Sequence, residues 1–275
     1  MKPLIVYIGT SDSIIRELVS YGKFQVQTVI CEYRRLTESY REQVNLSKLD
    51  LKTFNSKEEF RDLINSFEEK TKFLIYQLDF IVIKELVDKY CFYNFHSGSV
   101  KTNRGAHPII RTILNNEKET EFTLHKINHK IDQGFLISLF KIEVDSIDSV
   151  EDIKIKMELG LPSMFNDLLA CFQSNSQLQE LNGGEYYKPI SQEDFTINSM
   201  KDEIIVIKNK IRSQKNYQGA ILICGGKRYF ITELYDLNNE DNISEKITIN
   251  NNFINVERQK VTFKLRLNLA ADELD

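Results

Sequence analysis

The chain has 275 residues, 41% hydrophobic and 28% charged, and its 36 Lys+Arg against 40 Asp+Glu give a formal net charge of −4. That length holds one large or two modest domains with proper cores, and the missing positive field puts nucleic-acid binding at a disadvantage. No run approaches the ~18 to 20 apolar residues of a membrane span, and the start MKPLIVYIGTSDS lacks the basic region and apolar core of a secretory signal, so a cytoplasmic protein with no membrane partner is expected. Cys31, Cys91, Cys171 and Cys224 stand singly with no C-x-x-C spacing, which predicts reduced thiols rather than disulfides or a zinc site.

Residues 4–8 are an apolar run broken by Gly9, and TSDS then leads into IIRELV at helical spacing. A strand, a capped loop and a helix in this order open a Rossmann-like sheet. The Gly9-Thr10-Ser11 turn reads as a plain strand-to-helix turn, since one glycine is a weak sign of a phosphate cradle. Residues 24–31 alternate as a second strand, 32–50 predict a charged surface excursion, and 51–54 a third strand. Ser56 begins S-K-E-E, an N-cap with acidic first-turn residues, and predicts a helix to about Lys70. A buried strand at 73–76, a helix at 82–90 and a strand at 91–95 follow. This alternation argues a mostly parallel sheet with helices on both faces.

Further on, 108–115 carry a helical face, 122–127 and 135–141 read as extended, and 149–172 as a long amphipathic helix interrupted by Gly160 and Pro162. The polar stretch 173–182 and the pair Gly183-Gly184 predict a hinge. The expected organisation is an α/β, Rossmann-like catalytic domain over 1–180 and a small α+β or barrel-like domain over 185–275. In the latter a helix is expected near 202–213, strands around 220–224, 229–235, 247–249 and 261–267, a hairpin at Gly225-Gly226, and a frayed end at 270–275.

The densest chemistry lies in 92–137, FYNFHSGSVKTNRGAHPIIRTILNNEKETEFTLHKINHKIDQGFLI. Asn94 and His96 are two apart at the end of a predicted strand, so both project from one face at the sheet edge where open α/β sheets bind ligands. Asp132 follows 36 positions later (132 − 96), beside Gly134, whose freedom lets the loop fold back onto the strand end. An amide donor and a titratable ring on one face of a strand end suit acyl transfer. His125 and His129 are four apart, but on an extended segment and its loop, so the helical zinc geometry is missing and no metal is assigned.

The whole string Asn94-x-His96, Arg104-Gly105-x-x-Pro108, Asn115-x-Glu117-x-Glu119-Thr120, Thr123-x-His125 and Ile131-Asp132-x-Gly134 resembles the core of the N10-formyltetrahydrofolate-dependent formyltransferases. That family includes methionyl-tRNA, glycinamide ribonucleotide and sugar N-formyltransferases. The resemblance is densest over 73–140, fainter over 1–72, and returns in GGEYYKPISQEDFTIN and YQGAILICGGKRYFITELY. It implies a catalytic set at Asn94, His96 and Asp132, and N10-formyltetrahydrofolate as co-substrate with its pteridine against backbone at Leu78, Asp79, Phe80, Ile81 and Val82. Acceptor contacts are expected from Arg104 through its fork of donors, from Gly105 and His107, and from Tyr186, whose ring can stack on a base or pack in a seam.

Two departures stand out. Where tRNA-type and purine-type enzymes carry a proline-rich loop after the His, this chain has His96-Ser-Gly-Ser-Val-Lys-Thr-Asn-Arg104, and position 79, where glycine is common, is Asp. The segment GGEYYKPISQEDFTIN resembles the lead into the C-terminal domain of sugar and tRNA enzymes, which a purine-type enzyme lacks, and 185–275 mix charge signs rather than forming a basic face. The leading expectation is therefore a sugar N-formyltransferase acting on a dTDP- or UDP-linked amino-dideoxyhexose for surface polysaccharide, compatible with a homodimer. Methionyl-tRNA formyltransferase comes second. A formyltetrahydrofolate hydrolase is disfavoured because the regulatory domain expected ahead of its core has no room before Leu4. A non-catalytic folate- or nucleotide-binding module has no need of Asn94, His96 and Asp132 together.

Overall fold

The computed structural model describes residues 2–174, 177–238, 246–250, 252–258 and 261–268, so the end expected to fray lies outside the described residues. The chain divides into two compact units, Met1–Gly105 with Glu121–Ile142 and Ile155–Tyr187, and Ala106–Thr120 with Glu143–Lys154 and Lys188–Asp275.

In chain order the elements begin β1 (Leu4–Gly9), α1 (Asp12–Tyr21), β2 (Gln25–Glu32), α2 (Glu38–Leu46), β3 (Asp50–Phe54), α3 (Lys57–Asn65), β4 (Lys72–Tyr76), α4 (Lys84–Lys89), β5 (Cys91–His96) and β6 (Arg104–Gly105). There follow α5 (Pro108–Leu114), β7 (Glu119–Ile127), β8 (Gly134–Glu143), α6 (Val150–Glu158), α7 (Leu161–Gln173), β9 (Gln179–Leu181) and β10 (Tyr186–Tyr187). The first unit is built on one eight-stranded sheet, β3-β2-β1-β4-β5-β7-β8-β9. Pairing is parallel from β3 to β5 and antiparallel between β5 and β7, the mostly parallel sheet expected of alternating strands and helices. The strand order reverses direction between β1 and β4, which places the carboxyl ends of β1, β4 and β5 along the crevice edge.

Local chemistry fixes the helix ends. Ser11 caps α1 by accepting from Ile14 N, Gly22 ends it at φ 65°, and Ser56 caps α3 by accepting from Glu59 N. The excursion expected at 32–50 instead contains α2, capped by Thr37 and held by buried Tyr40 and Val44, a four-residue spacing diluted by charged neighbours. Helix α3 stops at Asn65 rather than near Lys70, and the chain turns to set Phe67 edge-on against Phe73 at 5.5 Å. Phe73 stacks on Phe92 at 5.0 Å, and Phe95 on Phe122 at 5.0 Å, so aromatic pairs carry the core from β4 through β5 to β7. The interruption expected at Gly160 and Pro162 separates α6 from α7.

The second unit contains α5 together with β11 (Thr196–Ile197), α8 (Ile204–Gln214), β12 (Ala220–Cys224), β13 (Lys227–Asn238), β14 (Lys246–Ile249), β15 (Phe253–Arg258) and β16 (Val261–Leu267). The strands form a half-barrel sheet ordered β11-β12-β13-β16-β15-β14, and Ile207 and Ile211 of α8 bury against Leu222, Ile231, Val256, Phe263 and Leu265. Gly225 and Gly226 both take positive φ, 58° and 76°, and make the two-residue hairpin between β12 and β13. Strand β15, absent from the expected set, buries Ile254 and Val256 on either side of Asn255. Buried Arg212 donates through Nη1 to the carbonyls of Asp145 and Asp148 at 3.0 Å each, tying that loop to α8.

Candidate active site

Asn94 and His96 lie on the last turn of pleat of β5, on one face of the sheet, with His96 at its carboxyl end. Across the β5–β7 pair, His96 faces Thr123 and Asn94 faces His125. Thr123 is buried and its hydroxyl donates to the Gly98 carbonyl at 3.1 Å, which bends the chain after His96 back over this face.

His96 is 5% exposed, and both ring nitrogens meet acceptors. Nε2 lies 2.7 Å from the Asn103 carbonyl, and Nδ1 3.4 Å from Asp132 Oδ1. A carbonyl can only accept, so Nε2 carries a proton, and the imidazolium form is the one in which both contacts are attractive. The ring is therefore oriented from its Nε2 side by backbone of the loop at 97–103, with Nδ1 turned toward Asp132.

Asp132 reaches this position through an unusual backbone. Its φ is 47°, a left-handed conformation that Asp tolerates better than most residues, and Gly134 follows at φ 121°. A Cβ on Gly134 would lie 2.1 Å from the Lys126 carbonyl, so only glycine lets this hairpin close. Asp132 Oδ2 accepts from Gly105 N at 2.7 Å, leaving Oδ1 for His96.

His125 is 1% exposed. Its Nδ1 lies 3.1 Å from the Gln133 carbonyl and its Nε2 3.3 Å from Asn94 Nδ2. Burial pushes its pKa down to about 4, with His96 reinforcing the shift and Asp132 opposing it. His129, by contrast, is exposed on the hairpin. Among the described residues no group of three or more His, Cys, Asp or Glu is placed to hold a metal ion.

The remaining sequence-predicted residues fall into three groups. Arg104 donates through Nε to the Ile131 carbonyl at 3.3 Å and through Nη1 to the carbonyls of Gly183 and Gly184, so it straps the Asp132 hairpin to the glycine pair while Nη2 stays outside these contacts. Gly105, at φ 97°, pairs with Tyr187 in the β6–β10 ladder; the ring of Tyr186 lies over it, and Tyr186 is 47% exposed. His107 belongs to the second unit, where it is the left-handed N-cap of α5 and its Nδ1 accepts from Ile190 N at 3.3 Å.

In the segment from Leu78 to Val82, Leu78, Phe80 and Val82 pack into the core, Phe80 against Phe54 and Phe60. Asp79 is bound by Arg35 at 2.9 Å and Arg34 at 3.3 Å, and Arg35 also donates to the Gln77 carbonyl at 2.6 Å. The exposed side chains of this loop are Asp79 and Ile81, the latter 57% exposed. Asn103, His125 and the Arg34–Arg35 pair were not singled out as site groups by sequence reading; a basic pair just after a strand end was the available sign for the arginines.

Residues 189–267 match the family model described as "Formyl transferase, C-terminal domain". A methionyl-tRNA formyltransferase of Caldicellulosiruptor saccharolyticus is 24% identical over 258 residues, 87% of this chain and 82% of the relative. Residues 189–267 thus carry a formyltransferase C-terminal domain, and most of the chain is similar in sequence to a formyltransferase. Another relative of that name, from Thermosipho africanus, is 30% identical but aligns over only 50% of its own length. Among solved structures, an N-formyltransferase from Helicobacter canadensis in complex with folinic acid and dTDP-3-aminofucose superposes with TM-score 0.70 at 20% identity, covering 98% of this chain and 100% of that one. A 4-N formyltransferase from Francisella tularensis gives 0.69 at 19%, covering 84% and 97%. At these identities the structures speak for the formyltransferase fold, and no described helix is long and apolar enough to cross a membrane.

Proposed function

We propose that this formyltransferase moves a formyl group from N10-formyltetrahydrofolate to the amine of a dTDP- or UDP-linked amino-dideoxyhexose destined for surface polysaccharide. The observation that carries the chemistry is the pairing of buried His96 with Asp132, on the face that Asn94 shares at the carboxyl end of β5. Attack of an uncharged amine on the formyl carbon builds negative charge on its oxygen. Asn94 donates one N–H to that oxygen and His96 donates Nδ1–H, the loose 3.4 Å contact to Asp132 being the one exchanged as the oxyanion forms. Asp132, freed on Oδ1, takes the amine proton through water and holds the charge of the imidazolium. The same proton is passed back through water from Asp132 to the departing folate nitrogen as the C–N bond breaks.

The loop at 78–82, where Ile81 is exposed, receives the pteridine on its backbone, and the exposed ring of Tyr186 stacks on the nucleotide base. Arg104 Nη2 is the donor left for the diphosphate. Supporting the sugar acceptor are the full-length superposition on an enzyme crystallised with a dTDP-amino sugar and the net charge of −4. Favouring methionyl-tRNA as acceptor instead are the names of the sequence relatives. Purified protein supplied with N10-formyltetrahydrofolate and a panel of nucleotide amino sugars, with initiator methionyl-tRNA in parallel, decides between them by tetrahydrofolate release. Turnover with tRNA far above every sugar would overturn the acceptor while leaving the formyl chemistry standing.

A further inference from the structure

Two observations about His125 go beyond the three groups that do the chemistry. It faces Asn94 directly across the β5–β7 pair, and its two nitrogens have partners of opposite kind. The Gln133 carbonyl accepts only, so Nδ1 holds the proton, and the neutral ring has its lone pair at Nε2. That lone pair needs a donor. The Asn94 amide must then present its nitrogen to His125; rotated the other way, its oxygen would set lone pair against lone pair inside the sheet.

We propose that His125 is a positioning residue which fixes the amide of Asn94, holding one N–H on its Nε2 so that the second N–H is aimed at the formyl oxygen. The proposal rests on the reading of Asn94 as oxyanion donor. The depressed pKa of the buried ring, near 4, keeps Nε2 an acceptor at neutral pH. The neighbouring residues Asp132 and Gln133 thereby address both histidines, one through a carboxylate on His96 and the other through a carbonyl on His125. An amide free to rotate would spend part of its time with its oxygen toward the developing negative charge, which raises the barrier without weakening substrate binding.

A double-mutant cycle on kcat tests this, using His125→Leu, His125→Gln and Asn94→Ala, with a thermal melt of each variant. Expected are a loss of about 10-fold or more for His125→Leu with KM for the folate little changed, recovery of most of that loss in His125→Gln, whose Oε1 accepts the same N–H, and less than about 2-fold further loss for His125→Leu in the Asn94→Ala background. Equal losses from His125→Leu in both backgrounds, or a Gln variant no better than Leu, would overturn the positioning role alone. Near-normal kcat in Asn94→Ala would instead remove the oxyanion-donor reading, and the proposal with it. Should the Leu variant not fold, the imidazole 15N spectrum of the wild-type protein decides: His125 must appear as the Nδ1–H tautomer, and an Nε2–H signal overturns the proposal.

Discussion

Replacing Asp132 by Asn removes one charge and almost nothing else. Gly105 N donates to Asp132 Oδ2 at 2.7 Å, so the new amide must keep its oxygen on that side and turn its nitrogen toward His96 Nδ1. Because Nε2–H is committed to the Asn103 carbonyl, Nδ1 must now accept, and the ring is held neutral. Two unit charges 3.4 Å apart at an effective dielectric of ~20 interact by about 5 kcal/mol, and both groups are largely shielded from solvent. If about half of that is realised only in the transition state, kcat falls roughly 100-fold. We expect at least that loss in Asp132→Asn, measured as steady-state tetrahydrofolate release with the acceptor the panel identifies, and a thermal melt close to wild type. Asp132→Ala should lose as much activity and also be less stable by about 1–3 kcal/mol, since the Gly105 N–H loses its acceptor. An Asn variant with kcat within about threefold of wild type would refute the charge argument.

Gly105→Ala places a Cβ 2.3 Å from the Tyr187 carbonyl and 2.8 Å from the Tyr186 ring at φ 97°, so the β6–β10 pairing should break; we expect a destabilisation of about 1–3 kcal/mol in a denaturant titration, with kcat reduced as the Asp132 contact loosens. Arg104→Ala should raise KM for the nucleotide sugar roughly 10-fold, worth about 1.4 kcal/mol, with KM for the folate little changed, and should lower kcat as well because the hairpin loses its strap to Gly183 and Gly184. The folded-state pKa of His125, about 4, lies below its ordinary value of 6.5, so between these values the unfolded chain takes up a proton that the folded chain refuses. Stability from this group is intact above pH ~6.5 and is lost as pH falls through ~4, on the order of 3 kcal/mol in all, so the gap in melting temperature between wild type and His125→Gln should narrow or reverse in acid.

Much of the fold was legible because its strands announce themselves as apolar runs closed by glycine or capping residues, as at Gly9, Ser56 and the Gly225-Gly226 hairpin. Asn94 and His96 were legible for the same reason: two-residue spacing at a strand end puts both on one face whatever the rest of the chain does. What stayed hidden depends on register and on which donors are already spent. That His125 meets Asn94 follows from the antiparallel alignment of β5 with β7, a relation across 31 residues that no local pattern encodes. Arg104 is expected from sequence to turn its fork of donors to the acceptor, yet three backbone carbonyls take its Nε and Nη1. Helix α2 and strand β15 were missed because each is short and buries two residues interleaved with polar ones, Tyr40 and Val44 in the helix and Ile254 and Val256 in the strand.

The hairpin at 131–134 is where these hidden relations converge. It serves two buried imidazoles, on adjacent strands, with different partners: His96 beside a carboxylate and a carbonyl, His125 between a carbonyl and an amide donor. Only a loop that delivers the side chain of one residue and the backbone oxygen of the next to neighbouring rings meets both demands. The left-handed φ of Asp132 is the conformation that does so, and it costs of order 1 kcal/mol or more. That cost is offset locally by the Gly105 N–H on Asp132 Oδ2 and by Arg104 Nε on the Ile131 carbonyl. The Arg104-Gly105 dipeptide therefore acts on the hairpin from both sides, through a side chain and through a backbone donor, and its pairing with Tyr186 and Tyr187 couples the positioning of Asp132 to the segment proposed to hold the nucleotide.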